Sequence, residues 1–216
     1  GLKNELKGYV DRDISVIPNM VDLNLFKAGS NKNKFGKDDC FNYFSCSFLV
    51  EGKGMELLIK AFSKVFKEKK GILRIGGDGP IKDELQKLIY ENGMEDKIIL
   101  LGSLSREEVA EEMKRCDAFV LASEHETFGV VYVEALACGR PIIGTYNGGA
   151  EDIIKDYNGI IVEKKNIDAL SDALIQMKNE YNTYDKNEIR EKTILSYSEK
   201  VLVEKLKGVY KKIYER

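Results

Sequence analysis

The sequence predicts an α/β domain, a Rossmann-like parallel sheet of about six strands with helices on both faces. Three observations predict it. Short β-branched or apolar runs alternate with helical periodicity along almost the whole chain. Helices of about 10–15 residues separate the runs, the spacing of βαβ units. Glycine or proline closes most of the strand-like runs.

Ile14 to Pro18 reads as a short strand ending in a Pro-Asn turn, and Phe41 to Val50 as an apolar, aromatic strand. Between Gly54 and Lys69, Leu57, Leu58, Ala61, Phe62, Val65 and Phe66 fall on one helical stripe. Ile72 to Ile75 is a buried strand stopped at Gly76-Gly77-Asp78-Gly79, and Pro80 suits the first turn of the next helix. Ile98 to Leu101 is strand, after which Ser105 and Glu108 form a capping box for a helix running to Cys116. Ala118 to Ala122 is strand and Phe128 to Cys138 helix. Pro141 to Thr145 and Gly159 to Val162 are the last strands, and helices follow.

The 216 residues suffice for one domain with a core, with 43% apolar and 32% charged residues, an ordinary globular balance. A net charge of −2 offers no basic field for nucleic acid. No apolar run approaches the roughly 20 residues of a spanning helix. Cys40, Cys46, Cys116 and Cys138 form no C-x-x-C pair, so reduced, buried thiols in a cytoplasmic protein are expected, with no metal site. The opening Gly1-Leu2-Lys3 lacks a Met, as expected of an excised piece.

In a parallel sheet the ligand sits beyond the strand C-termini, near helix N-termini. The turn after Ala122 is the most informative. Gly129 opens a helix without a side chain, so a phosphate can approach the first-turn amides at the positive end of the dipole. Glu134 lies in the second turn among Val130, Val131, Val133, Ala135, Leu136 and Ala137, and Glu126 in the loop before. A carboxylate on so apolar a helix is either paired or aimed at a ligand. Carboxylates repel phosphate but accept hydrogen bonds from neutral hydroxyls such as those of ribose or hexose.

Glu126-x7-Glu134, with Phe128-Gly129 inside it and Ala137-Cys138-Gly139-x-Pro141 after it, closely resembles the signature of the family 4 retaining glycosyltransferases. Other landmarks follow in order over nearly the whole chain. They are Pro18-Asn19-Met20-Val21-Asp22, Lys53-Gly54 with Ala61-Phe62, Gly77-Asp78-Gly79-Pro80, Leu101-Gly102, and Gly148-Gly149-x-Glu151.

The resemblance implies one half of a GT-B architecture, residues 1–216 being the nucleotide-sugar-binding domain. An acceptor-binding N-terminal domain would be absent, with the C-terminal helix packing toward it. It implies that Lys53 contacts the diphosphate, that the backbone at Gly129, Val130 and Val131 receives its oxygens, and that Phe128 belongs to the same donor site. Glu134 would hold the ribose and Glu126 the donor sugar, where the chemistry takes place. Ser103 and Leu104 would lie against the base. The full enzyme would transfer a sugar from a UDP- or GDP-sugar to a saccharide or lipid-linked acceptor, with retention and without a cofactor or metal. A place in the cytoplasm, including the inner face of the membrane, fits that chemistry. One departure stands out, because an Arg frequent in the family five residues before the Lys is Phe48 here, in Ser47-Phe48.

Other features are expected to be inert. Asp11-Arg12-Asp13 matches D-x-D but precedes a strand; His125 has no partner, and Cys138 is a packing residue. The C-terminal lysines 200, 205, 207, 211 and 212 are a solvated face interrupted by Glu199, Glu204 and Glu215. An NAD-type oxidoreductase is the main alternative, but Lys82 occupies the third glycine position after Gly77-x-Gly79. An epimerase or phosphorylase on the same fold, or a non-catalytic binding module, also remains open.

Overall fold

Six parallel strands form one sheet in the order β3-β2-β1-β4-β5-β6 in the computed structural model, which describes residues 6, 8, 9, 14–29 and 40–215. The strands are β1 (Phe41–Cys46), β2 (Gly71–Gly76), β3 (Ile98–Gly102), β4 (Ala118–Leu121), β5 (Ile142–Thr145) and β6 (Gly159–Val162). The helices are α1 (Met55–Phe66), α2 (Lys82–Glu91), α3 (Arg106–Arg115), α4 (Val130–Ala137), α5 (Ala150–Ile153), α6 (Ile167–Glu180), α7 (Lys186–Tyr197) and α8 (Glu199–Tyr214). The expected α/β class and Rossmann-like topology are therefore present. The order reverses between β1 and β4, whose C-terminal ends make the switch-point crevice of a doubly wound sheet.

Packing follows from the sequence periodicity. The apolar stripe of α1 buries Leu58, Ile59, Ala61, Phe62 and Phe66, and α1 packs on α2 and α6. On the other face α4 packs against α3, α5 and α7. Of the eight residues of α4, six are buried, so the helix is apolar almost all round. Beneath α1 the rings of Phe62 and Phe66 stack at 4.5 Å, with Tyr43 of β1 set edge-on to both.

The sequence expectations differ from the structure in places. Ile14 to Pro18 is not a strand. The sheet edges are β3 and β6, and this segment instead leads to Val21, whose amide donates to the Tyr197 carbonyl at the C-terminal end of α7. The first strand stops at Cys46 rather than Val50, and α4 begins at Val130, leaving Phe128 in the loop against Tyr197. Cys116 and Cys138 are buried as expected, whereas Cys40 and Cys46 are half-buried. The capping box of Ser105 and Glu108 forms in full at the start of α3. Asp11-Arg12-Asp13 lies outside the described residues.

Candidate functional site

Two loops meet at the switch point, residues 47–54 after β1 and 122–129 after β4. Gly54 and Gly129 permit the meeting. Gly54 has φ 71°, and a Cβ there would stand 1.9 Å from the Ala122 carbonyl oxygen. Gly129 has φ 83°, and its Cβ would fall 2.5 Å from the Tyr132 ring. Both positions demand the left-handed backbone that glycine alone adopts cheaply. The loops are also tied together, since the Glu124 amide donates to the Gly52 carbonyl at 2.8 Å.

Lys53 and Glu126 stand on these two loops and meet, with Lys53 Nζ 2.7 Å from Glu126 Oε1. Both are half-buried, so the pair is partly shielded from water. The Glu126 amide in turn donates to the Asn147 carbonyl. Asn147 Oδ1 caps the amides of Gly149 and Ala150, and its Nδ2 donates to the Tyr132 hydroxyl. That hydroxyl donates to the Leu121 carbonyl at 2.9 Å. The network fixes the Gly129 turn to the end of β4 and to the Gly148-Gly149 turn.

The helices that flank the crevice, α1 and α4, have no side-chain cap, their N-cap residues being Gly54 and Gly129. By contrast α3, α6 and α7 are capped by Ser105, Asn166 and Asp185. The Val130 and Val131 amides thus open α4 with no side chain in the way, an arrangement that suits an anion.

Glu134 is fully buried one turn along α4. Burial pushes its carboxyl above the ordinary range, and Arg106 pulls it part of the way back. Arg106 Nη2 lies 2.5 Å from Glu134 Oε1, while Oε2 has no hydrogen-bond partner. Sequence reasoning missed Arg106. A signal existed, because a cation at the first position of a helix opposes the macrodipole and needs another reason to be there.

Leu104 lies half-buried at the end of the β3–α3 loop, its Cδ1 within 2.5 Å of where a Gly76 Cβ would stand. Phe48, at the position of the family's frequent Arg, is 64% exposed and brings no charge. Gly77 and Gly79 serve packing, since a Cβ on either would strike the Ser47 or Leu49 carbonyl. They join the β1–α1 and β2–α2 turns, and this accounts for them without a dinucleotide. A cavity of about 390 Å³ opens beside Gly54, lined in part by Met55, Leu85, Glu124 and Lys165. It holds none of the expected donor-contact residues. Among the described residues no helix is long and apolar enough to cross a membrane.

The profile of the family "Glycosyl transferases group 1" matches residues 29–193. The chain belongs to this family. It is 32% identical over 239 residues to an uncharacterized glycosyltransferase of Methanocaldococcus jannaschii, covering 99% of this chain and 64% of that protein. It is 31% identical over 209 residues to the N-acetyl-alpha-D-glucosaminyl L-malate synthase of Bacillus anthracis, covering 94% of this chain and 54% of the relative. The chain thus spans 54% to 64% of the length of these two relatives. Its fold superimposes on sucrose-phosphate synthase from Thermosynechococcus elongatus with a TM-score of 0.86 at 20% identity, over 99% of this chain and 56% of that one. The family match and the sheet bear out the membership of a glycosyltransferase family and the Rossmann-like α/β fold expected from the sequence, and lend nothing to the oxidoreductase alternative.

Proposed function

We propose that the chain is the donor-binding domain of a retaining hexosyltransferase that uses a nucleotide-diphosphate sugar. The observation that carries this reading is the convergence at one switch point of Lys53, Glu126, the uncapped N-terminus of α4, and Glu134. The four match the parts of one ligand. Lys53 and the amides at Gly129, Val130 and Val131 take the diphosphate, where a cation and a helix dipole offset its charge. Glu126 takes donor-sugar hydroxyls, Glu134 takes the ribose, and Phe128 and Leu104 supply neighbouring walls. No cofactor takes part in this scheme.

In the reaction the bond between the anomeric carbon and the diphosphate oxygen breaks. An acceptor hydroxyl oxygen bonds to that carbon and passes its proton to the departing diphosphate oxygen, and the nucleoside diphosphate leaves. Negative charge grows on the leaving oxygen, where fixed donors contribute most to lowering the barrier. Lys53 and the first turn of α4 are those donors.

One Rossmann-like unit gives one wall of a cleft, so a second domain is proposed to hold the saccharide or lipid-linked acceptor. On α8, Val203, Leu206, Tyr210 and Ile213 follow helical spacing and are exposed, which supports packing of this helix toward that domain. A cytoplasmic enzyme working at the membrane surface would suit a lipid-linked acceptor.

The test is calorimetry of the chain with UDP, GDP and their sugars, followed by transfer of radiolabelled donor to a panel of acceptors. Binding in the high micromolar to millimolar range is expected, about −4 to −6 kcal/mol. Transfer is expected only when the second domain is supplied, since acceptor and donor must be held about 3–3.5 Å apart. Failure to bind any of these nucleotides would sink the reading.

A further inference from the structure

Three observations at the buried end of the crevice are unexplained by the contacts above. Glu134 is 0% exposed although a ligand is to reach it. One of its oxygens is taken by Arg106, and the other is buried without a partner, a costly arrangement for a carboxylate. Arg106 itself is 57% exposed, and its guanidinium lies over the buried Phe26 ring, 5.0 Å from the centroid.

We propose that Arg106 is a positioning residue of the nucleoside subsite, covering Glu134 in the ligand-free chain, keeping it a carboxylate, and yielding it to the ribose hydroxyls. The proposal rests on the reading that Glu134 holds the ribose. Arg106 can fill this role because it stands at the mouth and Glu134 behind it. Phe26 gives the planar guanidinium a face to rest on without a second anion. A shift of one exposed, long side chain uncovers the carboxylate, and the unpartnered Oε2 supplies an acceptor for the incoming diol.

Among the polar groups on the elements packed around Glu134, Arg106 is the one whose charge acts on its carboxyl. The Cys46 thiol on β1 is pushed up to about 11, first by burial and then by Glu134 itself. The Cys138 thiol at the end of α4 is pushed up to about 12, chiefly by burial. Both stay neutral near physiological pH. From α7, Arg190 bonds the carbonyls of Phe26 and Ala137 at the far end of α4. From α5, Glu151 is turned onto the Gly148 amide.

The experiment compares the affinities of the chain for UDP and GDP with those for their 2′,3′-dideoxy analogues, from about pH 5.5 to about pH 8.5. The ratio of ribo to dideoxy affinity cancels titration of the terminal phosphate near about pH 6, common to both ligands. In the wild type a ratio of roughly tenfold or more should persist across the range. In R106Q it should survive at the alkaline end and fall toward one as pH drops, because burial of Glu134 is then unopposed. R106K, which keeps a charge, should follow the wild type.

If E134Q retains the full ratio, the ribose reading itself fails. If E134Q loses it while R106Q matches the wild type at every pH, the Arg106 proposal alone is overturned. Should R106Q not fold, the wild-type guanidinium signal of Arg106, assigned by its loss in R106K, decides by NMR. It should move on binding UDP or GDP and stay in place with the dideoxy analogue. An unmoved signal in the ribonucleotide complex overturns the proposal.

Discussion

Lys53 and Glu126 are held 2.7 Å apart across two loops that share no sequence neighbourhood, and they are the proposed contacts for adjacent parts of one ligand. In the ligand-free chain each neutralises the other. On the proposed reading, a diphosphate draws Lys53 partly away from Glu126, and a hexose hydroxyl replaces it there. Lys53→Ala should weaken a nucleoside diphosphate by roughly 1.5–3 kcal/mol, the scale of a charged hydrogen bond, and the nucleoside much less. Equal losses for both ligands would assign Lys53 to packing at the start of α1.

Glu126→Gln separates the two roles. It releases Lys53 to the phosphates, so affinity for the bare nucleoside diphosphate should stay level or improve. The matching nucleotide sugar should lose affinity, because a neutral amide is a weaker acceptor for its hydroxyls. Calorimetry of the two ligands side by side reads the difference. Parallel changes in both would remove Glu126 from the sugar subsite.

Glu134 should show opposite effects on stability and binding. Its carboxyl is raised by burial, so the native state binds the proton more tightly than the unfolded chain does. The stability this contributes is complete below the unfolded pKa and is lost as pH rises through the higher native value. Glu134→Gln, neutral throughout, escapes that loss. Its melting temperature should exceed the wild type's at neutral pH, with the two converging as pH falls into the carboxylate range. Nucleotide affinity should drop by roughly 1.5–3 kcal/mol. A wild type that melts higher at neutral pH would mean that attraction to Arg106 outweighs burial.

The glycines at the crevice should not tolerate a methyl group. Gly129→Ala meets the Tyr132 ring and an unfavourable φ, at a cost of about 1–2 kcal/mol for the backbone alone. A lower melting temperature and weaker diphosphate binding should appear together. Gly54→Ala faces a carbonyl oxygen at 1.9 Å and should be more damaging still. Wild-type melting of Gly54→Ala would show that the two loops can separate freely.

On α8, Tyr210→Glu with Ile213→Glu should leave the melting temperature of the chain nearly unchanged, because both side chains face solvent. A large drop in a thermal melt would show that this stripe is covered within the chain itself.

Much of this molecule was determined by its sequence alone. The alternation of apolar runs and helical stripes dictates parallel layers, because such strands can be buried only between helices. Ser105 with Glu108, and Gly129 before an apolar helix, are local signals whose chemistry acts within a few residues. The two glutamates stood out as candidate ligand groups for the same reason, one of them being a carboxylate on a helix otherwise built for the core. The β-branched run from Ile14 to Pro18 misled, since whether it pairs depends on a free sheet edge and not on its own residues. Only the tertiary structure decided that Lys53 meets Glu126, 73 residues away, and that Arg106 covers Glu134 from another helix, 28 residues away. Those contacts are set by strand order and by the crossing of loops at the switch point. No local periodicity encodes them, because their geometry exists only once the sheet has closed the distance.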